Sequence, residues 1–287
     1  LIVPWPAGGG ADAISRKISN IAEQELPKSI YVENIAGAVT ATGLIQMTSS
    51  RPDGHTVGVL TYDSVITLPR GQMVPGYSLD NMTPIARITS EADAIVVSKH
   101  SGINTFEELV EKAKANPGQV RVGVAPKGSG PYLSASQLEK LLDVDFNVIT
   151  YAGSSSAEAE ALLSGELDAA ISSLGDFSGI IESGDAKGVV ELTSVQNMTY
   201  TDVPTISDKG YDLQTGSFII LAAPANTPDE AITTLETAFK TAYDSEEFQS
   251  WLQQVGVTAD WLGSDEVVDW MGELQEKTFS LRDELDL

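Results

Sequence analysis

Cysteine is absent from this chain of 287 residues, and histidine occurs only as His55 and His100. Without thiols there is no disulfide framework, thiolate nucleophile, iron–sulfur cluster or thiolate zinc site. The redox compartment stays open, because disulfide-free proteins occur on both sides of a membrane. Basic residues are scarce: 17 Lys plus Arg stand against 41 Asp plus Glu, a formal net charge of −24. A polyphosphate partner needs a basic face, so the composition argues against a nucleic-acid binder. The acidic exterior reads as a solubility feature or an adaptation to a saline setting. Apolar runs of the roughly 18–20 residues needed to span a membrane are missing. The chain opens on Leu1-Ile-Val-Pro-Trp5 with no charged n-region or cleavage site, so an export signal is expected to be removed or to lie outside this sequence.

Enzyme constellations are thin. Gly153-Ser-Ser155-Ser-Ala157 resembles a nucleophile elbow, but that hydrolase order needs a later His and none follows His100. Asp143-Val-Asp145-Phe-Asn147 starts like a calcium loop. Its sixth position is Val148 instead of Gly and its twelfth is Ser154 instead of Glu, so it reads as a polar helix-to-strand turn. Neither phosphate-binding glycine motif is present. No catalytic residue, metal site or cofactor is therefore expected.

What the chain does have is 42% hydrophobic residues arranged as alternating β-rich runs and helical periods. Strands are expected at 1–5, 30–33, 57–61, 94–98, 120–125, 146–151, 167–172 and 188–193. Helices are expected at 105–115, 132–142, 156–164, 176–183, 229–243, 246–255 and 265–281. The strand runs lack strict alternation, as in sheets buried on both faces. Thr105-Phe-Glu-Glu108 has capping-box form, and Thr227-Pro228 places proline at a helix start. The length suits two α/β domains. Strand-like passages near 84–98 and 217–223 mark two crossovers, which gives a discontinuous domain of 1–98 plus 221–287 and a middle domain of 99–220.

Four strand-to-helix junctions are rich in Gly, Ser and Thr: Pro6-Ala-Gly-Gly-Gly10-Ala-Asp12, Gly37-Ala-Val-Thr40, Lys127-Gly-Ser-Gly-Pro-Tyr132 and Tyr151-Ala-Gly-Ser-Ser-Ser156. Small side chains let a ligand reach the backbone, and free amides at helix starts favour an anion. In α/β sheets such loops border the crevice beyond the strand carboxyl ends. The competing role for each loop is simply to end a strand and cap a helix.

Six segments come in an order that resembles one family: Ile2–Asp12, Val32–Ala38, Arg51-Pro-Asp-Gly54, Ser164-Gly-Glu-Leu-Asp168, Asp202-Val-Pro-Thr-Ile206 and Ala222–Pro228. The chain resembles the solute receptors of tripartite tricarboxylate transporters, the Bug or TctC family. The resemblance implies a two-domain Venus flytrap of the α/β class, related to type II periplasmic-binding proteins. Such a protein captures a small organic carboxylate in its cleft and delivers it to a permease with a large and a small membrane subunit. It implies a monomer on the periplasmic or extracellular face, and leaves open a membrane tether outside this sequence. Carried over position by position, it nominates Trp5, Ala7, Gly8, Gly9 and Asp12, then Ala38 and Thr40, then Tyr62 and Ser64. From the middle domain it nominates Gly128, Ser129, Gly130, Tyr132, Tyr151, Gly153, Ser154, Ser155 and Ser172.

The chain departs from the family at Ala36–Thr40, where Pro-Gly-Ala-Gly-Gly is common. It also departs at Tyr132, where a His is common, at Ser172, where an Asp is, and at Gln196-Asn197, near a frequent Arg. These departures bear on which carboxylate binds. Asp12 has a competing role as a cap shaping the glycine loop, and Trp5 and Tyr132 as apolar wall. Asp63, at the third junction, either caps the next helix or faces an ammonium-bearing ligand. A sensory flytrap domain and an enzyme on the same scaffold are the alternative functions. The first would be expected to carry a helix-turn-helix and a basic surface if it acted on DNA, and neither is visible.

Overall fold

The β-rich runs form two sheets whose central strands are buried while the outer parallel strands, Glu33–Asn34 and Asn147–Thr150, are partly exposed. The structure, a computed structural model, describes residues 1–38, 40–71, 74–75, 77–127, 129–151 and 155–284. The strands are β1 (Ile2–Val3), β2 (Glu33–Asn34), β3 (Gly58–Leu60), β4 (Met82–Ala92), β5 (Ala94–Ser98) and β6 (Arg121–Val124). They continue as β7 (Asn147–Thr150), β8 (Ala169–Ser172), β9 (Ala186–Glu191), β10 (Gly216–Pro224) and β11 (Ala259–Gly263). The chain divides into a first unit, Leu1–Ser90, Phe218–Leu252 and Ala259–Leu287, and a second, Glu91–Ser217 with Gln253–Thr258.

In the first unit the sheet order is β11-β4-β10-β3-β1-β2. β1 runs parallel to both β2 and β3, whereas β10 is antiparallel to β3. Ile2, Leu44, Leu60, Ile66, Phe218, Ile220 and Val267 make its core. Helix Gly10–Ala22 buries Ile14, Ile18 and Ala22 at helical spacing. The parallel register brings the ends of β1, β2 and β3, and the three loops that follow them, to one edge.

In the second unit the order is β7-β6-β8-β5-β9. β6 is parallel to β7 and β8, and β5 is antiparallel to β8 and β9. Alternate residues of β5 enter two different cores: Ile95 and Val97 one, Ala94 and Val96 the other. Burial on both faces is why these strands read as continuous apolar runs.

The expected boundary at residue 98 differs from the observed one. β5 hydrogen-bonds to β8 and β9, so Ala94–Ser98 belongs to the second sheet, and the chain crosses at Ser90/Glu91. The return crossing falls at Ser217/Phe218, and Gln253–Thr258 makes a further excursion that no change of composition marks. Gly216, at φ +133°, is required by close approach, since a Cβ there would lie 2.0 Å from the Glu91 carbonyl oxygen. Two local details also differ. Glu108 accepts from the Asn104 amide instead of closing the box on Thr105, and Pro228 is the N-cap of helix Asp229–Asp244 instead of its first residue. Asp143, at φ 52°, ends helix Gly130–Leu142 as a left-handed cap, the turn expected in place of a calcium loop.

Candidate functional site

At the parallel edge of the first unit, the three loops are tied together by side chains. The Trp5 indole donates to Thr61 Oγ1 at 3.3 Å, and Asn34 Nδ2 donates to the Trp5 carbonyl at 3.1 Å. The Thr40 and Ser64 hydroxyls are 3.3 Å apart, and Ser64 Oγ also accepts the Thr61 amide at 3.1 Å. Asp12 is buried and accepts from the Gly8 amide (2.9 Å), Asn34 Nδ2 (2.8 Å) and Arg16 Nε (2.9 Å). Burial works against its charge, but the bonds from Arg16, Gly8 and Asn34 prevail and hold its carboxyl below the usual range. Asp12 therefore shapes the glycine loop, and its carboxylate oxygens are already engaged.

Ala7, Gly8 and Gly9 are exposed, and Trp5 is half-buried. The left-handed residue is Gly8, at φ +89°; Gly9 has an ordinary φ of −83° and is the N-cap of helix Gly10–Ala22. Lacking a side chain, Gly9 caps nothing, so the first-turn amides keep no intrahelical partner. Helix Ala41–Thr48 starts likewise, after Ala38 and Thr40, both at positive φ, with no side-chain cap. Ser64 is buried, and Tyr62 packs against the core. Asp63 is half-buried and accepts from the Thr67 hydroxyl at 2.8 Å; burial raises its pKa despite that bond.

The second unit also has one edge where the nominated residues gather. Ser129 is the N-cap of helix Gly130–Leu142 and accepts the Tyr132 amide at 3.3 Å. Tyr132 and Tyr151 lean on the two cores. Ser155 opens helix Ser155–Ser164, and Ser172 ends β8 with its hydroxyl on Asp176. Gly128, Gly153 and Ser154 lie outside the described residues.

Sequence reasoning missed the carboxylates of this edge. Asp93 is buried, accepts from the Ser134 hydroxyl at 2.6 Å, and is pushed up to about 6 by burial. Glu158 is 3% exposed, its Oε2 has no hydrogen-bond partner among the described residues, and burial, with Asp176 and Asp93 adding repulsion, pushes it up to about 7. Glu91 is raised to about 7 by burial and by the same two neighbours. Acidic residues inside an apolar strand pattern, Glu91-Ala-Asp93, were the available signal.

A groove of about 740 Å³ in the first unit is lined by residues such as Leu1, Ile30, Tyr31, Val57, Ala231 and Phe239. It lies at the opposite end of β1 and β3 and touches none of the nominated ligand residues. The glycine turn of the first loop and the two helix starts without a side-chain cap lie at the other end, on the loop edge.

Two α/β units, each with small-residue loops beyond parallel strand ends, define a solute-binding architecture. Residues 14–286 match the family described as the tripartite tricarboxylate transporter family receptor, TctC, and the chain belongs to it. Protein BugT of Bordetella pertussis is 24% identical over 98% of this chain and 90% of its own length. A TctC solute-binding protein from Polaromonas, solved without ligand, superposes with a TM-score of 0.88 at 26% identity, covering 99% of this chain and 96% of that one. MatC from Rhodopseudomonas palustris, solved with bound malate, shares the fold at a TM-score of 0.72 and 24% identity, covering 98% and 97%. No described helix is long and apolar enough to cross a membrane.

Proposed function

We propose that this protein is an extracytoplasmic receptor that captures a small organic carboxylate and hands it to a permease made of a large and a small membrane subunit. The observation that carries this reading is the first unit's loop edge. Helices Gly10–Ala22 and Ala41–Thr48 both start there without a side-chain cap. The aligned dipoles of both helices and the first-turn amides of helix Gly10–Ala22 favour a negative charge, and Gly8 and Gly9 let it approach the backbone. The protein acts by binding and release, on the periplasmic or outer face, and makes or breaks no bond. Malate, the solute held by MatC, belongs to the ligand class this edge suits.

Titration calorimetry of ligand-free protein with malate, succinate and citrate tests the reading. A Cβ at Gly9 would meet only the Pro6 carbonyl oxygen, at 3.9 Å, and φ is ordinary, so Gly9→Val should fold. Its side chain would occupy the anion's approach and weaken binding more than about tenfold, or roughly 1.4 kcal/mol. Wild-type affinity in that variant would remove the first loop from the site.

A further inference from the structure

The third loop of the first unit's edge contains a rare turn. Asp63–Thr67 is π-helical, and the Leu68 amide closes it on the Asp63 carbonyl, five residues back. Pro69 follows, at the second position of the short helix Leu68–Gly71. Proline has no N–H, and its ring crowds the carbonyl four residues earlier, here that of Val65. The backbone donor that would serve the Ser64 carbonyl in a π-turn, or the Val65 carbonyl in an α-turn, is therefore missing.

Two side chains from elsewhere in the chain donate to those two carbonyls. The Tyr77 hydroxyl donates to the Ser64 carbonyl at 2.5 Å, and Gln275 Nε2 donates to the Val65 carbonyl at 2.6 Å. Gln275 comes from 210 positions away, on helix Ser264–Glu284. That helix packs against the π-turn and enters the core of the unit through Val267 and Met271. Its Trp270 meets Phe218 edge-on at 4.9 Å, and the Arg87 guanidinium lies over the Trp270 ring at 4.4 Å. Gln275 stands one turn beyond Met271, so its amide is offered from a fixed support.

Ser64 carries the effect onward. Its side chain is fully buried, accepts the Thr61 amide and meets the Thr40 hydroxyl. Thr61 in turn accepts the Trp5 indole, at the start of the glycine loop. Tyr77 thus grips the backbone of Ser64, while its hydroxyl joins the second loop to the third. The contact with Thr40, at 3.3 Å, is near the limit for hydroxyls, so a shift of a few tenths of an ångström breaks it.

We propose that Tyr77 and Gln275 are positioning residues for carboxylate binding: they hold the turn that Pro69 leaves short of a donor, and Ser64 then fixes Thr40, Thr61 and Trp5 at the loop edge. Neither touches the solute. This role rests on the receptor reading and lies wholly within the first unit.

Calorimetry of Tyr77→Phe and Gln275→Leu with malate, succinate and citrate tests it, with urea midpoints to show that each variant is folded. Both substitutions keep the bulk of the side chain and remove the donor. Affinity for whichever acid the wild-type protein binds tightest should fall about fivefold or more in each. Ser64→Ala should lose a similar amount, and adding Tyr77→Phe or Gln275→Leu to it should change affinity less than about twofold. Exchange of the Thr61 amide, followed by NMR, should quicken about threefold or more in both single variants, with amides of helix Asp229–Asp244 unchanged. Wild-type affinity in a folded variant overturns that residue's role, whatever its midpoint, and leaves the receptor reading standing. Full losses persisting on top of Ser64→Ala overturn it as well, because the path would not run through Ser64. Failure of both single variants to fold would assign the pair to stability alone and overturn the positioning role. Wild-type protein that binds none of the three acids overturns the receptor reading for them, and the positioning role with it.

Discussion

Glu158→Gln should stabilise the ligand-free protein at pH 8 and leave it nearly unchanged at pH 5. Burial, with Asp176 and Asp93 nearby, pushes the Glu158 carboxyl up to about 7 from 4.5. Between those values the folded chain holds a proton that the unfolded chain has lost, so stability falls as pH rises. The contribution is fully present below about 4.5 and gone above about 7. At roughly 1.4 kcal/mol per pH unit, that interval corresponds to on the order of 3 kcal/mol. Glutamine is neutral throughout, has nearly the same shape, and brings an amide donor among acceptors. At pH 8 the variant should therefore gain about 1–3 kcal/mol, the lower figure applying if Glu91 and Asp93 relax into the vacated charge. Urea unfolding at both pH values measures this, with a higher midpoint at pH 8 and an unchanged slope. A midpoint shift of equal size at pH 5, or a loss of stability at pH 8, would show that the carboxylate is ionised and satisfied in the fold.

Other substitutions separate backbone shaping from binding. Asp12→Ala removes the acceptor of Gly8, Asn34 and Arg16 and should cost about 2–3 kcal/mol, read by urea melts at neutral pH. Because that carboxyl is held below its usual range, its contribution should fade as pH falls through its folded value. Gly216→Ala would press a Cβ to 2.0 Å from the Glu91 carbonyl at φ +133° and should cost more than about 3 kcal/mol, whereas Gly8→Ala, with open space around φ +89°, should cost about 1 kcal/mol by thermal melting. Ser129→Ala removes the cap on the Tyr132 amide and should cost about 1 kcal/mol; a cost below a few tenths would show the cap is replaced by solvent.

Local chemistry made much of this protein legible in one dimension. The runs around 94–98 and 120–125 are apolar without alternation because both faces of their sheet are covered, and a chain with that pattern has few other solutions. Thr105 and Asp143 marked helix ends because capping depends on a handful of adjacent atoms. The small-residue loops were visible because Gly, Ser and Thr at a strand end are themselves the backbone freedom and the hydroxyls in question. Tertiary structure decided what depends on partners far away in sequence. β5 could join either sheet on its own pattern, and β8 and β9, some 75–95 positions onward, settle it. Which glycine of the first loop is left-handed follows from the reach of the Gly8 amide to Asp12, held in turn by Asn34 on another strand. The acid edge is the clearest case: Glu91, Asp93, Glu158 and Asp176 are four ordinary surface-type residues in the sequence. Only tertiary packing withdraws water from Glu91, Asp93 and Glu158, while Asp176 stays exposed beside them, and desolvation by distant neighbours is a property no local window contains.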